Sequence, residues 1–305
     1  MSAQNTDVLP YGPAAITAAA RLIAAGAPVA VPTETVYGLA ADARDGAAVA
    51  RVYEAKGRPS FNPLIVHVLG LEQAERIAVF DDMSRALAAR YWPGPLTLVL
   101  PLRAEAGIAA IVTAGLSTIA LRTPAHPAMR DLLTATGAPL AAPSANASGR
   151  ISPTRAAHVL ASLGGRIPLI IDGGPTVHGL ESTIVAMTGA EIRLLRHGPI
   201  DLGLVLAPPA AVEAPGQLAS HYAPRKPLRL EADEKRPDEW LIGFGPVAGD
   251  VSLSASGDPV EAAANLFDAL HAADASSAAS IAVAPIPEDG LGAAINDRLR
   301  RAAAP

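Results

Sequence analysis

Residues Val31 to His67, VPTETVYGLAADARDGAAVARVYEAKGRPSFNPLIVH, constrain the fold more than any other stretch. A β-prone run, Pro28 to Pro32, delivers Thr33, Glu34, Thr35 and Tyr37 onto Gly38. Asp45 then opens a helical segment, Ala47 to Ala55, with Val49, Val52 and Tyr53 at helical spacing. The segment must stop at Lys56-Gly57-Arg58-Pro59, because Gly57 suits a C-cap and Pro59 forbids continuation. After Asn62 and Pro63 a second strand-like run, Leu64 to Leu69, carries His67. A strand, a helix and a strand thus bring hydroxyls, two cations, an amide and an imidazole to their ends, where α/β proteins place ligands. On spacing alone, Lys56-Gly57-Arg58 also reads as a dipole complement with a cap, and His67 as a core histidine on the face of Ile65 and Leu69.

At 305 residues the chain exceeds one ordinary domain and can bury a large core. With few aromatics, that core is built from Val, Leu, Ile and Ala. A net charge of −5 argues against a general nucleic-acid binder, though not against a local basic pocket. The absence of cysteine excludes disulfides, thiolate zinc sites and a cysteine nucleophile. The start, MSAQNTDVLP, lacks the shape of a signal peptide, and no apolar run is long enough to span a membrane, so a cytoplasmic location is expected.

In chain order, Pro13 to Ala25 reads as an alanine-rich helix closed by Gly26. Leu71 to Val79 and Met83 to Tyr91 read as helices, the second stopped by Trp92-Pro93-Gly94-Pro95. Leu96 to Leu100, Thr118 to Arg122, Leu140 to Pro143, Leu169 to Asp172 and Ile184 to Met187 read as strands, and His126 to Thr134 as a helix. A hairpin from Met187 to Leu195 turns through Thr188-Gly189. This alternation predicts an α/β fold with a twisted mixed sheet in residues 1–206. Pro143 to Gly149 is a small polar turn able to hydrogen-bond an anion or merely to cap a helix, whose start is expected at Ser152-Pro153-Thr154. Arg196 could be an exposed strand-end cation. Residues 207–227 form a proline-rich linker, within which Ser220-His221-Tyr222 is more specific than a spacer requires. Residues 228–305 form a small Rossmann-like α/β domain, with strands Trp240 to Phe244 and Ile281 to Ala284 and helices Val260 to Ala272 and Leu291 to Ala302. The glycines of Gly243 to Gly249 and of Gly290-Leu291-Gly292 do not complete a dinucleotide fingerprint, and there is no Walker loop or metal-ligand spacing of the histidines.

Taken as a whole, the opening stretch resembles the YrdC-like family of threonylcarbamoyl-AMP synthases. The family's KxR pair falls on Lys56 and Arg58, its SxN on Ser144 and Asn146, and the HYAP of its long form on His221 to Pro224. The resemblance implies a YrdC-like sheet-lined cavity where ATP, L-threonine and bicarbonate meet to give L-threonylcarbamoyl-AMP and pyrophosphate, the product passing to a tRNA threonylcarbamoyl transferase complex. It implies that Lys56 and Arg58 are catalytic and that Asn62, Thr118, Ser144, Asn146, Ser152, Arg196 and Tyr222 join them on ATP. Thr35, His67, Arg122, the backbone of Ala142, and Ser182 would hold threonine, and Tyr222 would reach back over the nucleotide. Mg2+ would arrive with the triphosphate rather than on a protein cage. Domains of this kind have also been read as double-stranded RNA binders, which leaves weak RNA contact as an expectation that the acidic balance opposes. A carbamoyl-phosphate-using maturation factor of the same fold would need fused cysteine-rich zinc modules, which a cysteine-free chain lacks.

Overall fold

The structure is a computed structural model and describes residues 5–188, 191–208, 213–217 and 220–304. Its elements begin with β1 (Asp7–Pro10), α1 (Pro13–Ala24), β2 (Val29–Pro32), β3 (Tyr37–Asp42), α2 (Gly46–Lys56) and β4 (Ile65–His67). Next come α3 (Leu71–Ile77), α4 (Asp82–Tyr91), β5 (Leu96–Pro101), α5 (Ala110–Thr113), β6 (Thr118–Arg122), α6 (Pro127–Thr136) and β7 (Leu140–Ala141). The first sheet is completed by β8 (Leu169–Asp172), β9 (Thr183–Ala186) and β10 (Arg193–Arg196), with α7 (Ala156–Leu163) before β8. These ten strands lie in the order β1-β8-β2-β3-β7-β4-β6-β5-β9-β10, with parallel and antiparallel neighbours mixed. The expected twisted mixed sheet is therefore present.

Local chemistry sets the elements around the middle of this sheet. β2 and β3 form an antiparallel hairpin closed by the turn Thr33 to Val36. The Thr33 hydroxyl accepts the backbone N–H of Thr35 and of Val36 and donates to the Val36 carbonyl, so the turn is built from the polar cluster itself. The Asp45 carboxylate caps α2 by accepting from Ala47 and Ala48. Gly57, at φ +60°, ends it in the left-handed conformation and so turns Arg58 back toward the sheet.

The helix expected from Ser152-Pro153-Thr154 starts later, at Ala156 with Arg155 as N-cap. The three residues are held extended instead. Tyr37 N–H donates to the Pro153 carbonyl, Thr176 N–H donates to the Thr154 carbonyl, and the Ser152 hydroxyl donates to Glu181. Part of the hairpin turn Thr188-Gly189 lies outside the described residues, but β9 and β10 pair antiparallel across it.

A second, four-stranded sheet follows, all parallel, in the order β11 (Leu228–Arg229), β14 (Ser280–Val283), β12 (Glu239–Gly243) and β13 (Val251–Ser252). Helices α8 (Pro259–Ala275) and α9 (Leu291–Ala303) pack against it. Phe244 and Val247 exchange reciprocal backbone hydrogen bonds, so the glycine-rich stretch after β12 closes on itself. The apolar core of this part does not stop at the second sheet. It also contains Val36, Ile151 and Leu180 from loops between elements of the first part of the chain, and Tyr222 from the segment between the sheets.

Candidate active site

Strand ends from the first sheet meet at one place. The Thr33–Val36 turn, the C-terminal ends of β4 and β6, the loop after β7, Ser182 before β9 and Arg196 at the end of β10 surround a cavity of about 50 Å³. Pro215, Gly216, His221 and Tyr222, from the segment joining the sheets, line it as well. A nucleotide needs a pocket of several hundred Å³, so the space free in this conformation holds only a few waters.

Arg122 donates to the Thr35 hydroxyl at 2.8 Å, to Glu34 at 2.6 Å and to the Gly94 carbonyl at 3.2 Å. A guanidinium has five N–H donors, so donors remain for a second carboxylate. Burial opposes the Glu34 charge, but Arg122 outweighs it and holds that carboxyl below the usual range. His67 lies on the strand neighbouring Arg122, paired with it in register. Both its ring nitrogens are buried without a partner, and burial, with the Arg122 charge, pushes the imidazole down to about 3. It is neutral at physiological pH and presents one donor and one acceptor.

Arg196 donates to the Ser182 carbonyl and hydroxyl, both at 3.0 Å, and to the Pro215 carbonyl at 3.3 Å. Ser182 in turn shares a 2.7 Å hydrogen bond with Thr97. Arg58 donates to the carbonyls of Asn62 and Pro63, and burial lowers its guanidinium to about 10, which leaves it charged. Three arginines thus face one small cavity, with Ser144 and Ala142 on its sheet side.

The sequence-predicted residues divide accordingly. Thr35, Arg58, His67, Arg122, Ala142, Ser144, Ser182, Arg196 and Tyr222 line the cavity, whereas Lys56, Asn62, Thr118, Asn146 and Ser152 do not. The Lys56 ammonium is buried behind the wall and donates to the Ser144 and Asn146 carbonyls, so it fastens the SxN loop to α2. Burial first, then Arg58, lowers its pKa well below the ordinary lysine value. Asn146 donates to the Ala147 and Arg150 carbonyls. The Asn62 amide is buried with neither atom paired, next to Arg58. Thr118 stands at the far end of β6 from Arg122, roughly 13 Å away along the strand.

Unpaired buried polar atoms gather on residues that line the cavity: the two His67 nitrogens, His221 Nδ1 and the Tyr222 hydroxyl. Such atoms are rare in folded proteins, and a cluster of them marks a place built for a polar ligand. Sequence reasoning gave no role to three residues that shape the site. Glu34 was visible as the neighbour of Thr35, and Glu181 as the neighbour of Ser182. Arg298, on α9, had no local signal at all.

The fold and the site define a class: an α/β protein with a buried cationic ligand pocket that is bordered in part by Pro215, Gly216, His221 and Tyr222. A family model described as "Telomere recombination" matches residues 21–198, and one described as "Threonylcarbamoyl-AMP synthase, C-terminal domain" matches residues 185–304. The threonylcarbamoyl-AMP synthase of Bacillus subtilis is 39% identical, covering 98% of this chain and 95% of the relative. That of Pyrococcus abyssi is 41% identical over 94% of this chain and 93% of its own. The solved structure of P. abyssi Sua5 complexed with L-threonine superposes with a TM-score of 0.89 at 36% identity, covering 98% of this chain and 97% of that one. The chain belongs to the threonylcarbamoyl-AMP synthase family, in the long form that carries the C-terminal domain.

Proposed function

We propose that this protein makes L-threonylcarbamoyl-AMP and pyrophosphate from L-threonine, bicarbonate and ATP. What carries the reading is one cavity that combines Arg122 beside a neutral His67, suited to an amino acid, with Arg58 and Arg196, suited to phosphates. The threonine carboxylate pairs with the unused donors of Arg122, while Thr35, His67, Ser182 and the Ala142 backbone hold its amine and hydroxyl. The threonine nitrogen attacks the bicarbonate carbon, water leaves, and a carbamate forms. A carbamate oxygen then attacks the α-phosphorus of ATP, its P–O bond to the β-phosphate breaks, and pyrophosphate carries the electron pair away.

No residue need become covalently bound. The chain contributes positioning and a cationic wall that offsets charge on the phosphates as they transfer. Arg58 forms part of that wall directly, and Lys56 sustains it by fixing the Ser144-Ala145-Asn146 loop. Glu34 and Glu181 are each committed to an arginine, so Mg2+ enters as the partner of the triphosphate. Asn146 and Ser152 act on ATP through the wall that they hold in place, Asn62 stands behind Arg58, and Thr118 lies too far along β6 to share that role. A carbamate loses carbon dioxide readily in water, so the seal made by Gly216, His221 and Tyr222 protects it. The adenylate leaves for a tRNA threonylcarbamoyl transferase complex in the cytoplasm. Among the described residues no helix is long and apolar enough to cross a membrane.

Pyrophosphate release with ATP, omitting threonine or bicarbonate in turn, tests the proposal. Release must need both. Equal release without threonine overturns it. Serine should support weak turnover, because one methyl group is worth only about 1–3 kcal/mol of discrimination.

A further inference from the structure

We propose that Arg298, in the last helix of the C-terminal domain, is a positioning residue of the synthase site that holds His221 and Tyr222 against the pocket wall. The inference rests on the synthase reading above. Arg298 is fully buried, and its Nε donates to Glu181 at 3.1 Å. Its guanidinium carbon lies 5.5 Å from the centre of the Tyr222 ring. One side chain from α9 therefore meets both Tyr222 and the wall residue Glu181.

Both contacts lead directly to site residues. The second Glu181 oxygen takes the Ser152 hydroxyl, and Glu181 precedes Ser182, which accepts from Arg196. Burial works against the Glu181 charge, but Arg298 and then Arg196 hold the carboxyl below its usual range. Tyr222 sits at φ +63°, an uncommon backbone conformation for a non-glycine residue, and must be held there by its surroundings. Arg298 lies near its ring on one side, and Phe267 of α8 lies 5.5 Å away, centroid to centroid. The same helix end takes the backbone of the segment: His221 N–H donates to the Arg301 carbonyl in the last turn of α9, where helix carbonyls lack partners of their own.

A side chain kept only to join two domains would not need to be an arginine. Burying a guanidinium is costly, and a buried ion pair is commonly no more stable than an apolar contact of the same size. Burial opposes the Arg298 charge, Glu181 and Asp297 pair with it, and its Nη2 nevertheless has no partner. The arrangement is explained if the charge orders Tyr222 and Glu181 around a bound nucleotide.

Arg298→Lys keeps the charge but not the planar group near Tyr222, and the double variant Arg298→Met with Glu181→Gln removes both buried charges together so that neither is stranded. Amide hydrogen exchange of residues 220–223 in full-length protein reads closure without depending on activity. The proposal expects that exchange to rise at least tenfold in both variants, with β6 amides unchanged. It also expects kcat/KM for ATP to fall at least tenfold while threonine affinity by calorimetry stays within twofold. Unchanged exchange at 220–223, or wild-type ATP kinetics in the double variant, overturns it. Wild-type protein that releases no pyrophosphate but shows the exchange difference refutes the synthase reading and leaves the holding role of Arg298 standing.

Discussion

Arg58 and Lys56 are two residues apart and do different work. Arg58 faces the cavity, so Arg58→Lys should lower turnover on the order of a hundredfold with little change in melting temperature, because a point charge does not replace a planar fork. Lys56→Met removes a donor from two buried carbonyls and should cost on the order of 2 kcal/mol of stability as well as activity. Thermal unfolding alongside pyrophosphate release separates the two. The KxR wording gives both residues as cations near phosphate; that one of them fastens a loop 88 residues away becomes visible only in three dimensions.

The buried histidines also set an acid limit. Folding pushes His67 and His221 to about 3 from an ordinary value of 6.5, chiefly through burial. Between those values the unfolded chain binds protons that the folded one refuses, so what these two residues contribute to stability is full above about pH 6.5 and is lost as pH drops toward 3. Each contributes a slope of about 1.4 kcal/mol per pH unit. Urea unfolding at stepped pH should show this slope, and His67→Gln with His221→Gln should lessen it by their share, while His158, pushed down to about 4, and the lowered His126, His178, His197 and His271 keep the rest. An unchanged slope in the double variant would assign acid sensitivity elsewhere.

At the scale of elements, the segment that closes the pocket is the part most sensitive to small changes. Gly216 sits at φ +87°, and an added Cβ would meet Arg196 Cδ and the Tyr222 hydroxyl, each at 3.0 Å. Gly216→Ala should therefore raise KM for ATP at least tenfold while threonine binding, read by calorimetry, holds. Tyr222→Phe removes a buried hydroxyl that has no partner and should leave stability unchanged or improved, yet lower kcat. An enzyme indifferent to both changes would make this segment a tether only.

Caps and turns made several elements legible in advance. Asp45 and Gly57 bound α2, and Thr118 to Arg122 forms β6. The central strand β3 was not expected, because Tyr37 to Asp42 is buried along nearly its whole length and rich in Ala and Gly, so no alternation marks it. Ser152-Pro153-Thr154 carries the local signature of a helix start, but its partners Glu181, Tyr37 and Thr176 are distant in sequence and hold it extended.

For the whole molecule, we propose a division into residues 1–206, a segment 207–227 and residues 228–305, yet the parts share one apolar core. Val36, Ile151, Leu180 and Tyr222 belong to the same apolar core as the second sheet. Calorimetry should therefore show one cooperative transition for the full chain, and two separated transitions would contradict the shared core. The seam could not be read from sequence, since it depends on Arg298, Phe267 and Tyr222 meeting across long stretches of chain with no common motif.

The account rests on a carbamate, rather than the threonine carboxylate itself, attacking ATP. Mass spectrometry of the nucleotide formed from ATP, L-threonine and carbon-13 bicarbonate tests this most directly. The predicted product is L-threonylcarbamoyl-AMP made heavier by the labelled carbon. An unlabelled threonyl adenylate, or ATP left intact, would contradict it.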